Sequence, residues 1–285
     1  MFRSMLFVPA TNDKFIAKAA TRGADAIILD LEDSIPPTEK LAAREALALA
    51  VPQCRAPHGE VWVRVNRPFR LCVQDLEAAV AAGADGIMLP KAESAEHVRF
   101  VAEVLGEVEL EFGRPNPTQI FTIIETAKAV LDALSIVSAD ARVAIASTGN
   151  EDLATELGAR PLPATMRTAN QLVHLAAKSA GRASFGLFGS IADFTNLDAM
   201  RAMVEEARMH GFDGATCIHP AVVPILNAGF MPQPDEVNHA RRIVEAFDAA
   251  ERAGSASINV DGKMIDIPVV ERARRIVATA ERWTD

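Results

Sequence analysis

Several short apolar runs in this chain end in side chains able to do acid, base or metal chemistry. Asp30, Glu32 and Asp33 close or follow one run, Arg64 and Asn66 sit within the next, and Lys91 and Glu93 follow a third. Glu125 ends a fourth, Glu151 and Asp152 follow a fifth, and His219 precedes Pro220 at the end of the last. The set is rich in carboxylates and poor in imidazole and thiolate. Such oxygen donors suit a hard cation such as Mg²⁺, which keeps several waters for a substrate to displace. Glu125 and Asp152 come from consecutive runs, so their side chains can converge on one ion. Taken alone, Asp152 in Gly149-Asn-Glu-Asp-Leu reads equally as a helix cap, a task Asn150 would also perform. Arg64 alternates with apolar residues in Val61-Trp-Val-Arg-Val-Asn, which points it toward an inner face. There its guanidinium fork matches a carboxylate or a developing oxyanion, and the competing reading is a structural ion pair with Glu32 or Asp33. His219 reads as a hydrogen-bonded structural histidine or as a general base.

The elements that must carry these residues follow from a repeated phrase. Gly23-Ala-Asp25, Gly83-Ala-Asp85 and Gly211-Phe-Asp213 each lead into an apolar run, as expected where a left-handed glycine closes a helix and hands over to a buried strand. Eight runs of strand length result: Ser4–Pro9, Ala26–Leu31, Val61–Asn66, Gly86–Pro90, Ile120–Glu125, Arg142–Ser147, Ser184–Phe188 and Ala215–His219. Each is nearly all apolar, as strands buried on both faces are, and each is followed by an Ala/Leu-rich amphipathic stretch. Eight such units predict a (β/α)₈ TIM barrel, whose active site lies at the C-terminal ends of its strands, where the polar residues above fall. A doubly wound sheet would carry G-x-G-x-x-G after its first strand, and here that strand runs into Pro9-Ala-Thr-Asn. Pro232 and Pro234 then break the pattern. The expected division is a barrel domain over 1–230 and a C-terminal segment over 231–285. In that segment a helix over Asp235–Ala253, a loop or short strand over Gly254–Val260 and a helix from near Pro268 are expected.

Composition narrows the class. With 285 residues, 49% hydrophobic, the chain has room for one barrel of about 250 residues and an appendage. A net charge of −9 argues against non-specific binding to nucleic acid or to an anionic membrane. Cys54, Cys72 and Cys217 are scattered with no C-x-x-C spacing, which reads as a reducing compartment. No cleavage-site pattern follows Met1, and no apolar run reaches roughly the 18 residues of a membrane span. A soluble cytoplasmic protein is expected.

Arg3-Ser-Met-Leu-Phe-Val-Pro9, Ile28-Leu-Asp-Leu-Glu-Asp-Ser34, Val63-Arg-Val-Asn66, Leu89-Pro-Lys91, Ile124-Glu-Thr126, Glu151-Asp-Leu153, Cys217-Ile-His-Pro220 and Asp261-Gly-Lys-Met-Ile-Asp266 together resemble the citrate lyase beta subunit-like family, nearly end to end and in order. That family includes malyl-CoA and citramalyl-CoA lyases within the 2-keto-acid aldolase superfamily. The resemblance implies Mg²⁺ held by Glu125 and Asp152, Arg64 at the reacting thioester, and Glu32 and Asp33 lining the metal's water shell. It further implies that Asp266 is an acid/base residue on a C-terminal lid delivered across a subunit boundary, hence an oligomer, commonly a trimer. Ser190 stands where members often carry an acid, and Val222 where glutamine is common. The implied reaction cleaves a carboxylated 3-hydroxyacyl-CoA of the citryl, malyl or citramalyl kind into a 2-oxo acid and an acyl-CoA. The alternatives are a metal-dependent 2-keto-acid aldolase working without CoA, a malyl-CoA-type thioesterase, and a non-autonomous subunit of an acyl-carrier-dependent complex.

Overall fold

The computed structural model describes residues 2–252 and 257–283. Eight parallel strands form one sheet: β1 (Ser4–Pro9), β2 (Ala26–Asp30), β3 (Glu60–Arg64), β4 (Gly86–Leu89), β5 (Gln119–Ile124), β6 (Val143–Thr148), β7 (Ala183–Phe185) and β8 (Ala215–Cys217). Their spatial order is β7-β6-β5-β4-β3-β2-β1-β8, and a parallel bridge from Phe185 to Gly214 joins the two ends into a closed barrel. This is the expected (β/α)₈ architecture. The strand ends lie within two residues of the expected runs, except that β7 stops three residues early, at Phe185.

Helices alternate with the strands. They are α1 (Asp13–Ala19), α2 (Lys40–Cys54), α3 (Phe69–Ala81), α4 (Ala95–Phe112), α5 (Ala127–Leu131), α6 (Ala133–Val137), α7 (Asn150–Glu156), α8 (Pro163–Ser179), α9 (Leu197–Met209) and α10 (Val223–Gly229). The barrel interior is packed rather than open: Met5, Ile28, Trp62, Met88, Phe121 and Phe185 share one buried cluster. Trp62 and Phe185 both meet the Phe121 ring edge-on, at 6.4 and 5.7 Å between centroids. Such contacts add to the burial of large aromatic surfaces, which is what fixes the strands relative to one another.

The repeated Gly-x-Asp phrase has a structural reason beyond the turn. Gly23, Gly83 and Gly211 all adopt positive φ, at 76, 83 and 90°, as the helix endings require. The acid two positions on then accepts a backbone N–H at the start of the strand before it. Asp25 takes the Arg3 N–H at 2.7 Å, Asp85 that of Val61 at 2.8 Å and Asp213 that of Ser184 at 2.7 Å. Each also pairs with a cation, Arg3, Arg55 or Lys178. The acids therefore clamp the N-terminal end of the barrel, opposite the face that carries chemistry.

The chain divides into two compact units, Met1–Ala228 and Gly229–Asp285. The second contains α11 (Pro234–Arg252), a hairpin of β9 (Ile258–Val260) and β10 (Lys263–Ile265), and α12 (Ile267–Arg282). It has its own small core, in which Ala240, Ile243, Phe247, Ile265, Val270 and Ala273 are buried. Ala253 and Gly254, expected to end one element and begin the next, lie outside the described residues. No described helix is long and apolar enough to cross a membrane.

Candidate active site

A cavity of about 680 Å³ opens at the C-terminal ends of the strands. Apolar side chains such as Phe7, Met88, Phe121 and Ile123 form its floor, and Arg64, Asp30, Asp33, Glu125 and Asp152 line it. The large apolar share with a few convergent polar groups is the usual make-up of a small-molecule site.

Arg64 ends β3 and stands in register with Asp30 at the end of β2. Side chains at matched positions of parallel neighbours project to the same face, so the guanidinium meets the carboxylate squarely. Nε and Nη2 donate to the two Asp30 oxygens at 2.7 Å each. Nη1 serves Glu32 at 3.0 Å and Asp33 at 3.1 Å. The ring of Phe7 lies beneath, 4.9 Å from the guanidinium carbon. The structural reading of Arg64 is present, an ion pair with Glu32 and Asp33, and the same side chain lines the cavity. Burial alone would raise the Asp30 pKa, but the bonds from Arg64 and from the Ser34 and Glu32 amides hold it below the usual range. Glu32 goes the other way: burial pushes it up to about 7 against the pull of Arg64. Lys40, from α2, ties down this loop by donating to the carbonyls of Leu31 and Glu32, both at 2.7 Å.

Glu125 follows β5 and is buried, whereas Asp152 lies in the first turn of α7 and is partly open. The two carboxyl groups are near enough for each to bear on the other's proton affinity. Burial and then the neighbouring Asp152 raise the Glu125 pKa, while Glu125 and the Lys91 ammonium hold Asp152 low despite its own burial. Asp152 is not a cap: α7 begins without a side-chain cap, and Asn150 instead donates to the Leu187 and Gly189 carbonyls at 2.9 Å. The close approach of Glu125 to the β6–α7 turn depends on Gly149, where a Cβ would lie 2.5 Å from the Glu125 Cγ and 2.7 Å from Oε2.

The pair fits a magnesium ion. Its donors are hard oxygens, and among the described residues no group of three or more His, Cys, Asp or Glu is assembled to hold an ion. Mg²⁺ needs no such cage, because one or two carboxylates plus water and substrate oxygens satisfy it. Two neighbouring carboxyls whose proton affinities are pushed in opposite directions also mark a place where a cation would relieve repulsion.

The other expected positions make contacts of their own. Asn66 is locked by the buried Asp75, which accepts its N–H at 2.8 Å and its amide at 2.7 Å and also pairs with Arg44. His219 accepts the Ala221 N–H at 3.2 Å through Nδ1 and stacks on Phe194 at 4.6 Å, the structural reading of that residue. Ser190 is hydrogen-bonded to Glu151. Asp266 belongs to the second unit, where it caps α12 by accepting the Val269 N–H at 3.4 Å. Asp30, which stands among the mouth residues in sequence, fixes the plane of the Arg64 guanidinium, and strand register, not composition, carries that information.

The model of the HpcH/HpaI aldolase/citrate lyase family matches residues 3–220, which spans the barrel. The citrate lyase subunit beta of Leuconostoc mesenteroides subsp. cremoris is 34% identical over 288 residues, covering 98% of this chain and 93% of its own. A (3S)-malyl-CoA thioesterase of Cereibacter sphaeroides is 36% identical over 284 residues, covering 98% and 95%. Among solved structures, Mycobacterium tuberculosis CitE in complex with magnesium, acetoacetate and coenzyme A superimposes with a TM-score of 0.78 at 29% identity, over 98% of this chain and 97% of that one. With a barrel of this topology and carboxylates gathered at its mouth, the chain belongs to the HpcH/HpaI aldolase/citrate lyase family.

Proposed function

We propose that the protein is a Mg²⁺-dependent carbon–carbon lyase that splits a carboxylated 3-hydroxyacyl-CoA into a 2-oxo acid and an acyl-CoA. The observation that carries this reading is that Glu125, Asp152 and Arg64 line one cavity at the strand ends. Solved relatives with magnesium, acetoacetate and coenzyme A, or with oxaloacetate and magnesium, support it.

The reaction breaks the bond between C2 and C3. The hydroxyl on C3 gives up its proton and becomes the carbonyl of the 2-oxo acid, while the bond's electrons pass to C2 and the thioester as an enolate that must then be protonated. Mg²⁺, when bound, supplies Lewis-acid polarisation of the substrate hydroxyl and carboxylate oxygens. Glu125 and Asp152 are the residues that would hold it, with Glu32 and Asp33 lining its water shell. Arg64, held flat by Asp30, offers fixed positive charge to the thioester oxygen as negative charge develops there, and a donor fixed in advance costs no reorganisation. Asp266, on the C-terminal segment, is the residue assigned to protonate C2.

The segment over 231–285 is a lid and assembly element delivered by a neighbouring subunit of a homotrimer. Three buried free thiols fit work in the cytoplasm. A second reading, hydrolysis of the malyl-CoA thioester, has support from the thioesterase relative. Calorimetry on Glu125→Gln and Asp152→Asn tests the metal assignment: each should lose Mg²⁺ affinity and turnover, and unchanged affinity in both would refute it. Mixing inactive Asp266→Ala with inactive Arg64→Ala should restore partial activity if the lid acts between subunits. No recovery after verified subunit exchange would refute that arrangement.

A further inference from the structure

Lys91 is one of two non-glycine residues in the described chain with positive φ, at 48°; the other, Asp261, lies in the β9–β10 hairpin turn. A lysine there is strained, since L side chains other than Asn and Asp seldom adopt this conformation. The strain buys a specific arrangement. The Lys91 N–H points at Glu125 Oε1, 2.8 Å away, while its side chain turns to put the ammonium 3.4 Å from Asp152 Oδ1 and 3.6 Å from Glu32 Oε1. One residue thereby touches both candidate metal ligands and the carboxylate beside them.

The distances separate this lysine from a purely structural one. Lys40 completes two bonds at 2.7 Å to backbone carbonyls and is spent in doing so. Lys91 stands between two acids at longer range with its side chain a third exposed, so it contributes charge rather than a locked bond. We infer that Lys91 is an internal counter-ion of the metal site, holding down its affinity for a divalent cation until substrate oxygens are present. The inference rests on the assignment of Glu125 and Asp152 as ligands. Its physical basis is that Mg²⁺ gives up water reluctantly and binds in proportion to the negative charge offered to it. An ammonium beside two of the acids removes part of that charge. The anionic substrate restores it, which confines tight metal binding to the productive complex.

The test is calorimetric titration of the full-length protein with Mg²⁺ in the absence of substrate. Lys91→Met keeps the backbone N–H to Glu125 and deletes the charge, so it should bind Mg²⁺ about tenfold more tightly than the unaltered protein, whereas Lys91→Arg should stay within about twofold. General damage to the site would weaken binding, not strengthen it, so the direction of the change is diagnostic. Equal or weaker binding by a folded Lys91→Met variant would overturn the inference; should that variant not fold, Lys91→Gln is held to the same criterion. Glu125→Gln serves as the control. If it binds Mg²⁺ as tightly as the unaltered protein, the ligand assignment itself fails; if it loses binding while Lys91→Met shows no gain, only the role of Lys91 fails.

Discussion

Asp30 and Arg64 face each other at matched positions on β2 and β3, joined by two 2.7 Å hydrogen bonds, and the Asp30 side chain is almost wholly buried. The carboxylate uses both of its oxygens to set the plane of the guanidinium. Removing one partner of such a pair leaves the other charged and poorly compensated. Asp30→Asn should cost about 2–3 kcal/mol, less than full loss because Glu32 and Asp33 still hold Nη1. Urea unfolding measures this, and a variant as stable as the parent would show that the pair is not what organises the mouth.

Arg64→Lys should leave the fold intact and lower kcat about a hundredfold, because lysine keeps the charge but cannot span both Asp30 oxygens and still face the substrate. Steady-state kinetics on a variant with an unchanged melting curve decides the point. A kcat near the parent value would reduce Arg64 to its ion pairs.

Gly149→Ala would place a methyl carbon where Glu125 now lies, 2.5 Å from Cγ. The expected outcomes are a stability loss of about 1–3 kcal/mol from overpacking and roughly a tenfold loss of Mg²⁺ affinity as the Glu125 carboxylate is displaced. Calorimetry and thermal melting together would show them. Retained affinity would mean that Glu125 has room to retreat without losing its role.

Glu109, from α4, receives the Arg142 fork at 2.8 Å on each oxygen and the Thr118 N–H at 2.5 Å, tying down the starts of β5 and β6. Burial opposes its ionisation, yet these bonds hold its pKa below the usual glutamate value. A depressed folded pKa means that the stabilisation is complete above the unfolded glutamate value, near pH 4–5, and is lost as pH falls through the lower folded value. Glu109→Gln should therefore cost about 2 kcal/mol at pH 7, with the gap from the parent closing in acid below about pH 4. A gap independent of pH would mean that the charge contributes nothing.

Much of this was readable in the sequence, for identifiable reasons. Buried parallel strands are apolar on both faces, so eight runs stand out, and Gly23, Gly83 and Gly211 mark three of the junctions. The acids of those junctions were visible, but not their clamping role, because Asp25, Asp85 and Asp213 reach strands more than twenty residues earlier. Likewise the Asp30–Arg64 pair spans 34 residues and depends on strand register. Lys91 matters through its backbone angle, which no composition rule reveals. Asn66 reads in sequence as a polar residue at a strand end, yet the buried Asp75 claims it for structure.

Product analysis addresses the central claim most directly. Purified protein would be incubated with citryl-, malyl- and citramalyl-CoA, with and without Mg²⁺, and the products identified by mass spectrometry. The expected result is a 2-oxo acid and a shortened acyl-CoA from at least one substrate, formed only with Mg²⁺ and abolished in Glu125→Gln. Release of free CoA with the hydroxy acid's carbon skeleton intact, or cleavage that proceeds equally without the metal, would contradict it.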